Sequence, residues 1–165
     1  MNAVTILMGS PRDWETVKET GAELDRLGVA WRAHVSSAHR SLDRTVELVR
    51  RAEREGTKVF VCAAGMAAHL AGVVAGLTIR PVIGVPLPGG VADGLDALLS
   101  TAQMPGGVPV ATVAVGKAGA RNAAVLAAEI LALADDALTV RLREARAAQA
   151  AAVAAADAQL GGERS

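Results

Sequence analysis

The sequence predicts a single α/β domain on a five-stranded parallel sheet. Short β-branched runs alternate with longer helical patterns, glycine, proline or serine marks each junction, and no internal repeat or interdomain linker breaks the 165 residues. The first strand, Ala3–Met8, is apolar almost throughout, as in a strand covered by helices on both faces. Ser10 at an N-cap and Pro11 at a first helical position then open a helix over Pro11–Leu27. The second strand, Val29–Val35, alternates apolar residues with Arg32 and His34, so one face is half wet and the strand belongs at an edge. A helix over Ser41–Glu55 leads to the apolar strand Lys58–Ala63, followed by a helix over Ala67–Leu77. Strand Pro81–Val85, helix Asp93–Ala102, strand Val110–Val115 and helix Ala120–Ala134 complete the alternation. An edge second strand fits the spatial order 2-1-3-4-5, a flavodoxin-like three-layer sandwich with right-handed crossovers. A last helix from about Asp135 to Ala156 carries only a thin apolar stripe of Leu138, Leu142, Ala145, Ala152 and Val153. Alanine's propensity supports it, either as a solvated tail or as a C-terminal arm packed on another copy of the chain.

Composition narrows the function. Seventeen basic and seventeen acidic side chains give zero formal net charge, so no basic field exists to gather a polyanion, and nucleic-acid binding is not expected. With aromatic residues at 2% and no tyrosine, there is little to build a base-stacking platform or a flavin sandwich. Cys62 is the single cysteine and sits in an apolar strand, where it reads as core; no Cys/His cluster has zinc spacing. The chain reads as metal-free and cytoplasmic. It enters Ala3–Met8 without a basic leader and has no apolar run of the ~20 residues a membrane span needs, so no membrane association is expected.

In an open parallel sheet, ligands sit at the carboxyl ends of the strands where the order reverses, here beside the first and third. The first such loop is Gly9-Ser10-Pro11-Arg12-Asp13. Ser10-x-x-Asp13 is a capping-box pattern, while the free N–H groups of the helix start, helped by Arg12, also suit an anion. After the second strand, Ser37-Ala38-His39-Arg40 joins a ring that changes charge near neutral pH to a guanidinium able to clamp phosphate or carboxylate. The pair also reads as two exposed loop residues. After the third strand, the run of small residues over Ala63–Gly72, with Ala64, Gly65 and Met66 at its start, allows either close approach of a planar ligand or tight helix–sheet packing. His69 heads an apolar helical stretch and reads as structural, and His34 lies on the wet face of the edge strand. The turn-rich segments around Gly84–Gly90 and Gln103–Pro109 are lids or plain connections, and Gly116-Lys117-Ala118-Gly119 lacks the spacing of a phosphate-binding loop.

Taken together and in order, Met8-Gly9-Ser10…Asp13-Trp14, Ser37-Ala38-His39-Arg40, Ala67-Ala68-His69-Leu70, Gly84-Val85-Pro86, Gly94–Ser100, Gln103-Met104-Pro105 and Val115–Gly119 resemble the 5-(carboxyamino)imidazole ribonucleotide mutase family, the PurE family of purine biosynthesis, in its class I form. The resemblance runs from about residue 3 to residue 146. It implies a PurE-like domain over residues 1–158, with 159–165 a frayed tail, a homo-octamer with active sites between subunits, and no metal or organic cofactor. It implies a ribonucleotide substrate held by Ser10, Asp13 on the ribose hydroxyls, and Arg40 with Ser37 towards the phosphate. Ala64, Gly65 and Met66 would wall the pocket, which Met66 would narrow, and His39 would be the general acid/base. Arg12, a departure from the family, would either strengthen phosphate binding or crowd it. Arg12 stands where the family commonly has serine, Ala63 and Met66 where it has glycine, and Ala71 where it often has proline. The Ala67–Leu70 stretch favours the mutase branch over direct carboxylation with free carbon dioxide. A relative acting on a modified heterocycle and a flavodoxin-like binding module are the other readings.

Overall fold

The computed structural model describes residues 2–162. The strands β1 (Val4–Met8), β2 (Trp31–Val35), β3 (Val59–Ala64), β4 (Val82–Pro86) and β5 (Ala111–Thr112) form one all-parallel sheet in the order β2-β1-β3-β4-β5. Side-chain alternation divides the core in two. Val4, Ile6 and Met8 of β1, Val59, Val61 and Ala63 of β3, and Ile83 and Val85 of β4 point to one face. There they meet α1 (Trp14–Arg26) through Val17 and Leu24, and α5 (Gly116–Ala132) through a stripe of buried alanines. Leu7, Phe60, Cys62 and Val82 point to the other face, against α2 (Leu42–Arg54) and α3 (Leu70–Ala75). On that side α4 (Leu95–Ala102) lies over β4, where Gly84 has no room for a side chain: a Cβ would stand 2.3 Å from Thr101 Cγ2 and 2.9 Å from Val110 Cγ1.

Several boundaries differ from the sequence expectation, each for a local reason. The β2 ladder starts at Trp31, not Val29, because the Val29 N–H closes the turn after α1 by donating to Leu24 O at 2.9 Å. As an edge strand β2 is half exposed, in line with its alternating pattern. β5 pairs over only two residues, not the expected Val110–Val115, and it is not buried on both faces: Ala111 is exposed. The chain leaves the sheet to begin α5 at Gly116, four residues before the expected Ala120. Gly119 belongs to that first turn and its missing side chain is what admits the turn, since a Cβ would fall 1.5 Å from Ala114 O. α3 is shorter than Ala67–Leu77 because residues 66–68 are drawn out of the helix by bonds to α4. α6 (Asp136–Gly162) runs past the expected Ala156. Leu138 is buried, and Leu142 and Ala145 pack on the core, whereas residues 146–160, including Ala152 and Val153, are exposed. The segment expected to fray, 159–165, is thus helical to Gly162, and its remainder lies outside the described residues.

Candidate active site

Register brings the strand ends to one height. Met8 of β1 is level with Val35 of β2 and Ala63 of β3, and Ala64 is level with Pro86 of β4. The loops that follow converge on a cleft of about 560 Å³ at the carboxyl edge of the sheet, on the side of the order reversal. Gly9, Ser10 and Asp13 line it after β1, Ser37, Ala38, His39 and Arg40 after β2, and Ala64, Gly65, Met66, Ala67 and His69 after β3. Leu87, Pro88, Gly89 and Gly90 close it after β4, so the turn-rich segment there is part of the wall and not a plain connection.

The capping reading of the first loop is what the structure shows. A short 3₁₀ turn, Pro11–Asp13, carries the capping box: the Ser10 N–H donates to Asp13 Oδ2 at 2.8 Å, and the Arg12 N–H donates to Ser10 Oγ at 3.3 Å. Those same residues face the cleft. Burial pushes the Asp13 carboxyl above its ordinary range, opposed by the N–H groups of Ser10 and Gly9 and by the charge of Arg40. Arg40 ties two loops together, donating from Nε to Ser37 Oγ at 3.1 Å and from Nη2 to Gly9 O at 3.0 Å. A guanidinium fixed in this way presents its remaining N–H groups with little further loss of freedom. Behind it, buried Ser36 and Thr45 share a 2.8 Å hydrogen bond that fixes the end of β2 to α2.

His39 has a partner that its sequence position does not announce. Its Nε2 lies 2.8 Å from His69 Nδ1, with the rings edge to face and their centroids 4.9 Å apart. His69 is therefore no core histidine: it is exposed, precedes α3 and lines the cleft. Its signal was the rule that singled out His39, a histidine between a strand end and a helix start, but the apolar run that follows it reads as helix packing. Arg12 is the one expected site residue that does not line the cleft; it is exposed on the 3₁₀ turn beside it. Cys62 is fully buried in β3 and burial pushes its thiol far up, which keeps it protonated and inert, as its strand position implied.

The cleft thus offers a guanidinium and hydroxyls to an anion, a carboxylate to hydroxyl donors, a histidine pair to a migrating proton, and small side chains to a flat ring. The family described as AIR carboxylase matches residues 3–152, which include every segment lining the cleft. The chain belongs to the AIR carboxylase family. Within that family, the N5-carboxyaminoimidazole ribonucleotide mutase of Brucella melitensis is 50% identical over 151 residues, 92% of this chain and 93% of that protein. The Bacillus subtilis protein of the same name is 50% identical over 143 residues, covering 87% of this chain and 88% of its own. The crystal structure of Treponema denticola PurE matches with a TM-score of 0.87 at 28% identity, covering 95% of this chain and 97% of that one. The shared fold is in line with the sheet order of this AIR carboxylase family chain.

Proposed function

We propose that the chain is a 5-(carboxyamino)imidazole ribonucleotide mutase of de novo purine biosynthesis, moving a carboxylate from the exocyclic nitrogen to ring C4. The observation that carries this reading is the convergence of Ser10, Asp13, Ser37, Arg40 and His39 on one cleft, in a chain half identical to relatives of that name. Arg40 with Ser37 takes the phosphate, Asp13 accepts from the ribose hydroxyls, and Ser10 presents its hydroxyl and the start of α1 to the nucleotide. Arg12, at the rim, adds a second cation near the phosphate. Ala64, Gly65 and Met66 wall the heterocycle.

His39 serves as general acid and then general base. A proton passes to the exocyclic nitrogen, the bond between nitrogen and the carboxylate carbon breaks, and carbon dioxide is released beside the neutral amine. C4 then attacks the carbon dioxide, and its proton returns to the histidine as the ring regains aromaticity. One proton is lent and recovered, so the reaction is an isomerisation and calls on no metal or organic cofactor. The contact with His69 lets the two rings hold that proton as a pair. Water must be kept out while carbon dioxide is free, which favours a closed cleft.

We further propose a homo-octamer in the cytoplasm, with active sites between subunits. Val91, Leu95 and Leu99 are exposed beside the cleft, an apolar surface that a neighbouring subunit would cover and that would complete the wall. A lone free thiol is consistent with a reducing compartment. Following the imidazole ultraviolet absorbance with each nucleotide, without added metal or ATP, tests the reading. Interconversion in both directions is expected, and absence of turnover would overturn it.

A further inference from the structure

We propose that Ser100 of α4, which does not itself line the cleft, is a positioning residue that holds the loop 66–69 in its working shape. Met66 adopts a φ of 53°, a left-handed backbone that a side chain disfavours and that persists only where its surroundings impose it. The Ser100 hydroxyl spans this point. Its oxygen accepts from the Ala68 N–H at 2.9 Å and stands 3.2 Å from Met66 O, so one hydroxyl bridges both sides of residue 67. A hydroxyl has one proton and two lone pairs. Ala68 uses an acceptor position, and the proton is divided between Met66 O and the helix carbonyls of Asp96 at 2.8 Å and Ala97 at 3.3 Å.

The hydroxyl is mounted on rigid ground. Thr101 beside it is buried against Gly84, and Ala97 one turn earlier is fully buried. From Ala68 the constraint passes along the chain to His69, whose N–H donates to Ala67 O at 2.9 Å and whose Nδ1 meets His39 Nε2. Ser100 therefore bears on the position of the histidine pair through Ala68 and not through a hydrogen bond to either ring. The effect on turnover rests on the proposed mutase reading, whereas the effect on the loop does not.

The Ser100→Ala variant is expected to lower kcat roughly five- to tenfold, the worth of one hydrogen bond, and to leave KM for the nucleotide within about twofold, because the loops after β1 and β2 are untouched. Ser100→Thr, which restores the hydroxyl, is expected to recover most of the loss. Glycine adopts a positive φ freely, so in a Met66→Gly background the further loss from Ser100→Ala should shrink to under about twofold. Amide exchange at Ala68 should quicken roughly tenfold in Ser100→Ala, a readout that needs no substrate. Unchanged kcat and unchanged Ala68 exchange in Ser100→Ala, or an equal loss in the Met66→Gly background, would overturn the proposal. Failure of the unaltered protein to turn over either nucleotide would count against the mutase reading alone, and Ala68 exchange would still decide the role of Ser100.

Discussion

At the residue scale, the His39 and His69 rings meet in the cleft with two nitrogens 2.8 Å apart. Replacing His39 by Asn keeps a polar side chain in the cleft and removes the imidazole. The His39→Asn variant is expected to bind nucleotide with little change by calorimetry and to lose turnover by about a hundredfold or more, the usual worth of a general acid/base. Unchanged turnover would remove His39 from the mechanism. Asp13 yields an expectation of a different kind. Burial raises its carboxyl above the ordinary range, so the folded chain holds this proton to a higher pH than the unfolded chain does. Between the ordinary value and the raised one, the folded state binds more protons, and stability falls as pH rises through that interval. In Asp13→Asn this part of the slope should vanish from urea titrations at successive pH values, while the amide oxygen can still accept from the Ser10 N–H and keep the turn. KM for the nucleotide should rise at least tenfold with the loss of a charge-assisted contact to the ribose. The position of the cleft was legible in the sequence because the rule for open parallel sheets points to strand ends, and His39, Arg40 and Ser37 line it there. His69 obeys the same rule, but the apolar run behind it obscured it, and its partner His39 lies 30 residues away in sequence, beyond the reach of local patterning.

Elements transmit this geometry, and β4 and α4 pack with no room to spare at Gly84. At Gly84 the sheet and helix approach so closely that the added methyl of Gly84→Ala would meet both Thr101 and Val110. The variant is expected to lose about 1–3 kcal/mol of stability in denaturant titration, as overpacked cores do, and Thr101→Ser, which removes the 2.3 Å clash, should restore part of it. Additive losses in the double variant would show that the two residues do not compete for one space. Strands β1, β3 and β4 were legible as apolar runs because both their faces are buried, and the wet alternation of β2 marked it as an edge. β5 and α3 were not. Their lengths are decided by single backbone events, the turn into α5 that Gly119 admits and the bonds from Ser100 that take residues 66–68 out of α3, and neither leaves a mark on hydrophobic periodicity.

At the scale of the whole molecule, several large apolar side chains among the described residues stand exposed. Ile79 is 98% exposed, Leu95 and Leu99 stand one turn apart and exposed on α4, and residues 146–160 of α6 are exposed. The alanine content explains part of this: the alanines of α5 are buried against α1 inside the subunit, whereas those of residues 147–156 are exposed and free for close approach by another helix. Zero net charge removes long-range repulsion between copies, so apolar contact need not overcome a like-charge field. Light scattering is expected to give the mass of eight chains for the unaltered protein. Leu95 and Leu99 lie on the helix that holds the cleft loop through Ser100, so a subunit covering them would close the cleft from outside. Leu99→Asp should therefore reduce the assembled mass and lower kcat at least tenfold, by the burial of an unpaired carboxylate in the interface or by loss of the wall that keeps carbon dioxide from escaping. A stable monomer with full turnover would mean that the cleft is complete within one chain and that assembly serves stability alone.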